Sequence, residues 1–130
     1  MIVIDTSVIV AIALKEAVAP ALLVRLMSAS PREFSIVSYV EAATVLTPRG
    51  VTHDRIDDLL RQLDVVLIPV DEVQGREAVR ARISYGKGTG HPAQLNFGDT
   101  FTYALAKTRG APLLFVGADF SHTDLIDARD

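Results

Sequence analysis

The sequence predicts an α/β fold with a central, mainly parallel sheet, on three observations. Short apolar runs recur at residues 2–4, 34–37, 65–68 and 113–116, and each is too short to be a helix. Segments with helical periodicity lie between them, which is the alternation that builds βαβ units joined by right-handed crossovers. The first run, Ile2-Val3-Ile4, has no polar alternation, so it suits a central strand buried on both faces.

After that strand, residues from Ser7 to Leu14 are almost continuously apolar, and Pro20 can open a second helix reaching about Ser28 with Leu22, Leu23 and Leu26 on one face. Phe34 to Val37 reads as the second strand. Ser38 and Glu41 have the spacing of a capping box, predicting a helix from there to about Leu46, closed by Pro48 and Gly50. Thr52 starts the next helix, where Ile56, Leu59, Leu60 and Leu63 repeat at one helical face. Val65 to Ile68 is the third strand, and residues 71–85 form a helix carrying Val73, Ala78, Val79, Ala81 and Ile83. The glycine-rich segment 86–92 is a flexible loop; it does not match a phosphate-binding loop and reads better as a hinge. Asp99 to Thr108 is a helix with Phe101, Ala104 and Leu105 inward, Gly110 stops it, and Leu113 to Val116 is the fourth strand.

At 130 residues the chain is expected to form one domain over its whole length, 1–130. With 49% hydrophobic and 22% charged residues it has globular composition, which argues against a disordered chain. It contains no cysteine, which excludes a disulfide framework, a thiolate zinc site and a cysteine nucleophile. The start lacks the basic segment of a signal peptide, and Lys15, Glu16 and Arg25 interrupt the most apolar third, so a soluble cytoplasmic protein with no membrane span is expected. A formal charge of −3 gives no overall field for nucleic acid, so any such binding rests on a local basic patch or on metal. Arg49, Arg76, Arg80, Arg82 and Lys87 are candidates for that patch, with solvated surface as the plainer reading.

Four acids carry the functional reading: Asp5, Glu41, Asp99 and Asp119 each sit where an apolar run meets a helix start or loop. Each also has a structural explanation. Asp5 can cap the first helix, Glu41 can complete a capping box, Asp99 gains from the helix dipole, and Asp119 can fold a turn through its own backbone. Ligands of parallel α/β sheets gather beyond the carboxyl ends of the strands, where these four would converge. Gathered carboxylates repel one another unless a hard cation such as Mg²⁺ or Mn²⁺ holds them. His53, His91 and His122 have no zinc-ligand spacing and read as surface or loop residues, and Asp124 reads as a turn cap that could add a carboxylate.

At these residues the chain resembles the PIN-domain nucleases, most closely the VapC toxins of toxin-antitoxin systems, over nearly all of residues 1–127. The matching pieces are Val3-Ile4-Asp5-Thr6-Ser7, Ser38 to Ala43, Asn96-Phe97-Gly98-Asp99 followed by Tyr103-Ala104-Leu105-Ala106, and Leu114 to Phe120. The resemblance implies a three-layer PIN-like α/β/α domain. It also implies a Mg²⁺- or Mn²⁺-dependent endoribonuclease, in which water attacks RNA in line and leaves a 5′-phosphate and a 3′-hydroxyl. Carried onto this chain, it makes Asp5, Glu41 and Asp99 the core carboxylates and Asp119 the fourth, with Thr6 or Ser7 supporting Asp5. Gly117-Ala118 stand where relatives often carry a second polar or acidic residue, so Asp119 is the only acid of its motif. The implied partners are RNA, a small VapB-like antitoxin that covers apolar grooves and sets a basic side chain in the acidic pocket, and a second copy in a homodimer. The apolar stretch from Val8 to Met27 suits such a partner, or burial in the chain's own core.

Two rival readings accompany this one. A haloacid-dehalogenase-like phosphatase also opens with an aspartate after a buried strand, but needs a second aspartate where this chain has Ser7. A non-catalytic partner-binding module would leave the four acids as caps.

Overall fold

The structure, a computed structural model, describes residues 1–129. Its strands are β1 (Ile2–Ile4), β2 (Arg32–Ser35), β3 (Val65–Ile68) and β4 (Leu113–Leu114), and its helices are α1 (Thr6–Ala13), α2 (Ala19–Met27), α3 (Ile36–Leu46), α4 (His53–Gln62), α5 (Glu72–Tyr85) and α6 (Phe97–Arg109). Single 3-10 turns follow α3 at Thr47–Arg49 and β4 at Asp119–His122. All strand pairs are parallel, in the order β3-β2-β1-β4.

The period-two alternation of strands divides the core into two layers. Ile2 and Ile4 join Val8, Ile9, Leu22, Leu26, Leu46 and Ile56 on the face covered by α1 to α4. Val3 points the other way, into a cluster with Ala81 of α5 and Tyr103 and Leu105 of α6. β1 is therefore buried on both faces, as its unbroken apolar run requires, and the architecture is three-layered α/β/α. The chain winds outward from β1 to β2 and β3, then returns through α5 and α6 to place β4 on the other side of β1. That reversal opens a crevice at the carboxyl ends of β1 and β4.

Most local signals hold to within a residue or two. Thr52 caps α4, Gly50 and Gly110 take the left-handed conformation after their helices, and Pro20 sits in the first turn of α2. The exception is the β2–α3 junction. The strand starts at Arg32 and ends at Ser35, and α3 begins at Ile36, so Ser35 rather than Ser38 is the N-cap, accepting from the Val37 amide at 3.2 Å. The expected Ser38–Glu41 capping box does not form, because Ser38 already lies inside the helix, where its hydroxyl pairs with Thr102 at 2.9 Å. β4 is two residues rather than four, since the Val116 amide turns to the Ser7 hydroxyl at 2.9 Å. α6 begins at Phe97, before Asp99, and Phe101 is only half-buried.

The charges at the start of β2 are accommodated by long-range partners. Arg32, nearly buried, donates from Nε to the Leu26 carbonyl at 2.8 Å, from Nη2 to Met27 at 3.4 Å and from Nη1 to Leu63 at 3.1 Å, serving the carboxyl ends of α2 and α4. Glu33 accepts from Arg109 at 2.7 Å. Arg32→Ala removes the guanidinium donors that serve these helix ends in the core and is expected to lower stability by about 3 kcal/mol, read as a lower urea midpoint at unchanged slope.

Much of the apolar stretch from Val8 to Met27 is consumed by the core, Val24 and Met27 being its main exposed members. The larger exposed apolar surface lies elsewhere. Val73, Val79 and Ile83 of α5 are 62%, 60% and 71% exposed, and Phe97 at the head of α6 is 76% exposed. Among the described residues no helix is long and apolar enough to cross a membrane.

Candidate active site

Asp5 follows β1 directly and caps α1. Its Oδ2 accepts from the Ser7 amide at 3.0 Å and the Ser7 hydroxyl at 2.6 Å, and that hydroxyl in turn accepts from Val116 at the end of β4. The residue is 6% exposed. Burial raises its carboxyl above the ordinary range against the opposing pull of hydrogen bonds from Ser7, Thr102 and the Thr6 amide.

Glu41 sits mid-helix in α3 and reaches the Thr6 hydroxyl, which lies 3.3 Å from its Oε1 and 3.1 Å from the Ser38 carbonyl. The support expected of Thr6 or Ser7 is thus divided, Ser7 serving Asp5 and Thr6 serving Glu41. Burial, and then the charge of Asp5, raise the Glu41 carboxyl. Gly98 makes room for it, because a Cβ there would collide with the Glu41 carboxylate. Gly98→Ala is expected to hold or improve stability, since alanine is the better helix former by about 1 kcal/mol. The same change forces Glu41 aside and is expected to lower any turnover that depends on this carboxylate at least about tenfold; melting and initial rates measured together check both.

Asp99 is the third residue of α6 and closes a capping box there, its Oδ2 accepting from the Asn96 amide at 3.0 Å while its own amide donates to Asn96 Oδ1 at 2.9 Å. Its carboxyl is pushed up to about 7, first by burial and then by the charges of Asp5, Glu41 and Asp119, against the Asn96 amide. Asp119 opens the exposed 3-10 turn beyond β4, and among the described residues its carboxylate makes no hydrogen bond. The four predicted acids therefore lie close enough for three of them to act on the fourth.

The acids are gathered rather than closed. Among the described residues no three acidic or histidine side chains converge as in a finished metal cage. The reason is visible in the capping contacts: Asp5 gives one oxygen to Ser7 and Asp99 one to Asn96, so the structural roles and the clustering coexist. The donor set consists of hard carboxylate and hydroxyl oxygens, which fits Mg²⁺ or Mn²⁺ and not a soft metal. Like charges held near one another in partial burial are also the condition a divalent cation relieves. Of the histidines, His53 and His122 are exposed and His91 packs edge-on against Tyr85. Asp124 is committed to Tyr103 and Lys107, both at about 2.7 Å or less. Arg76 and Arg80 pair with Glu72 and Glu77 on their own helix.

Thr102 escapes the sequence reading, and Ser38 reads there only as a helix cap. They form a buried hydroxyl pair behind Asp5, and Thr102 also favours its ionised form. The available signal was that Thr102 follows Asp99 by three residues on one helix and so shares its face.

The sequence model of the PIN domain matches residues 2–125. The chain is 42% identical over 130 residues to "Ribonuclease VapC28" of Mycobacterium tuberculosis, covering 98% of each protein. It is 45% identical over 125 residues to "Ribonuclease VapC" of Mycolicibacterium smegmatis, covering 95% of this chain and 96% of that one. Among solved structures, Mycobacterium tuberculosis VapC20, described as a Sarcin-Ricin loop cleaving toxin, superposes with a TM-score of 0.74 at 19% identity over 98% of both chains. A toxin-antitoxin complex from Klebsiella pneumoniae gives 0.72 at 14% identity over 98% of both. These two structural likenesses bear on the fold.

Proposed function

This chain belongs to the PIN-domain family, and from that premise we propose that it is, as one domain over residues 1–130, a VapC-type endoribonuclease toxin hydrolysing RNA with the help of Mg²⁺ or Mn²⁺. The observation that carries the reading is the gathering of the acids at the carboxyl ends of β1 and β4, where burial and the charges of Asp5, Glu41 and Asp119 raise the Asp99 carboxyl. The ribonuclease names of relatives above 40% identity support the substrate.

Asp5 and Asp99 are assigned as the direct cation ligands, Glu41 as a ligand or water-orienting group, and Asp119 as an outer ligand reached through water. A bound divalent ion supplies a lowered water pKa and stabilisation of charge growing on the phosphate. Ser7 holds the Asp5 carboxylate at a fixed rotamer, and Thr6 does the same for Glu41, so both face the crevice. Glu41, its carboxyl raised by burial and by Asp5, is suited to accept a hydrogen bond or proton from the attacking water. Attack in line leaves a 5′-phosphate and a 3′-hydroxyl and requires no covalent intermediate. The phosphatase alternative lacks its second aspartate, and Ser7 in that position is committed to Asp5 and Val116.

Homodimerisation and antitoxin binding are assigned to the apolar side chains left in solvent, Val40 and Val45 of α3, Val79 and Ile83 of α5, and Phe97 beside the acids. The structural neighbour titled a toxin-antitoxin complex supports the antitoxin as partner. A basic antitoxin side chain reaching Asp99 would neutralise the same cluster that otherwise takes the cation.

Purified protein incubated with RNA and Mn²⁺ is expected to yield 5′-phosphorylated fragments, and chelator to stop the reaction. Expression is expected to arrest growth, with rescue by a co-expressed small antitoxin. Metal-independent cleavage, or products ending in a 2′,3′-cyclic phosphate, contradicts the proposal.

A further inference from the structure

Among the described residues the Asp119 side chain has no hydrogen-bond anchor, and its motif supplies none: Gly117 and Ala118 before it cannot hydrogen-bond through side chains, and Gly117 sits at φ +97°. Its position depends on how the backbone of residues 115–119 is held. Two restraints reach it from outside the loop: the Val116 amide donates to the Ser7 hydroxyl at 2.9 Å, upstream of the glycine, and the C-terminal run holds Gly117 itself. Residues 126–128 run along β4, the Leu113 amide donating to the Ile126 carbonyl at 2.9 Å and the Ala128 amide to the Leu113 carbonyl at 2.9 Å. This run delivers Arg129 to the loop. Its Nη1 donates to the Gly117 carbonyl at 2.8 Å, and its guanidinium lies 3.9 Å over the ring of Phe115. Phe115 also packs edge-on against buried Phe120, the residue after Asp119, at 5.4 Å.

Nε and Nη2 of Arg129 fork onto Asp127 at 2.7 to 3.2 Å. The fork orients the plane of the guanidinium, so Nη1 meets the loop as a fixed donor. Lysine has the charge but not the planar fork, and cannot lie on Phe115 while serving both Asp127 and Gly117.

We propose that Arg129 is a positioning residue for the metal site: by clamping the Gly117 carbonyl against Phe115 it sets where Asp119 presents its carboxylate. This rests on the reading of Asp119 as a cation ligand given above. Outer partners of metal ligands typically contribute about 10–100-fold in affinity.

The test compares wild type, Arg129→Ala, Arg129→Lys, Asp119→Asn and the Arg129→Ala/Asp119→Asn double variant. Mn²⁺ affinity is measured by electron paramagnetic resonance without RNA, and amide exchange of residues 117–119 without metal. Both Arg129 variants are expected to weaken Mn²⁺ binding at least about tenfold and to speed exchange at 117–119. The double variant is expected to bind no more weakly than Asp119→Asn alone, and saturating Mn²⁺ is expected to return the kcat of Arg129→Ala towards that of wild type. Unchanged affinity in Arg129→Ala, full rescue by lysine, or additive losses in the double variant overturns the positioning role. A wild type that takes up no Mn²⁺ overturns the metal-site reading beneath it.

Discussion

Asp99→Asn is expected to abolish RNA cleavage while the protein stays folded, and without divalent cation to melt no lower than the parent. The first half follows from the assignment of Asp99 as a direct ligand. Since outer partners of ligands already contribute about 10–100-fold, loss of a ligand is expected to exceed about two orders of magnitude. The second half follows from electrostatics. The carboxamide that replaces the Asp99 carboxylate retains an oxygen able to accept from the Asn96 amide, so the capping box persists, while a charge that burial and Asp5, Glu41 and Asp119 all disfavour disappears. A catalytic residue whose removal relieves the fold differs from a cap, whose loss costs about 1 kcal/mol. Cleavage assays beside thermal melts in chelator separate the two.

The second large effect is a dependence of stability on pH that metal reverses. Unfolded Asp99 ionises near 3.8 and folded Asp99 near 7. Between those values the folded state holds more protons than the unfolded state, so stability is lost as pH rises through that window. Asp5 and Glu41 are shifted in the same direction and add to the loss. Cation-free protein is therefore expected to melt lower at pH 8 than at pH 5. Mg²⁺ at about 100 times its dissociation constant adds about 2.7 kcal/mol by mass action. At pH 8 that is a rise in Tm on the order of 10 °C, whereas at pH 5 protons occupy the carboxylates and the rise is expected to shrink. Asp99→Asn is expected to flatten both dependences. A melting temperature that climbs from pH 5 to pH 8 in chelator contradicts the assignment of the raised carboxyls.

The parts of the fold that the sequence made legible are those whose cause is local. Ile2 to Ile4 reads as a central strand because nothing polar interrupts it, and Gly110 reads as a stop because few other residues adopt its conformation. The start of β2 is hidden because Arg32 and Glu33 look like surface residues, and become buried only through the carbonyls of Leu26 and Leu63 and the guanidinium of Arg109. The same holds for the site. Asp5, Glu41, Asp99 and Asp119 can be named from their places at element edges, yet the spacing suggests for Glu41 a capping partner that its helix, starting at Ile36, does not allow. What positions the acids is less visible. Ser38 meets Thr102 across 64 residues, and Gly98 is empty for the sake of Glu41, 57 residues earlier. Such pairings arise from packing between α3 and α6 and leave no periodic trace in either segment.

The central claim, that the four acids form one metal site, is tested most directly by anomalous diffraction from crystals grown with Mn²⁺. The account predicts a peak at the carboxyl ends of β1 and β4, in direct contact with carboxylate oxygens of Asp5 and Asp99, with Glu41 and Asp119 turned towards it. Mn²⁺ bound only elsewhere, with no peak between Asp5 and Asp99, would contradict it.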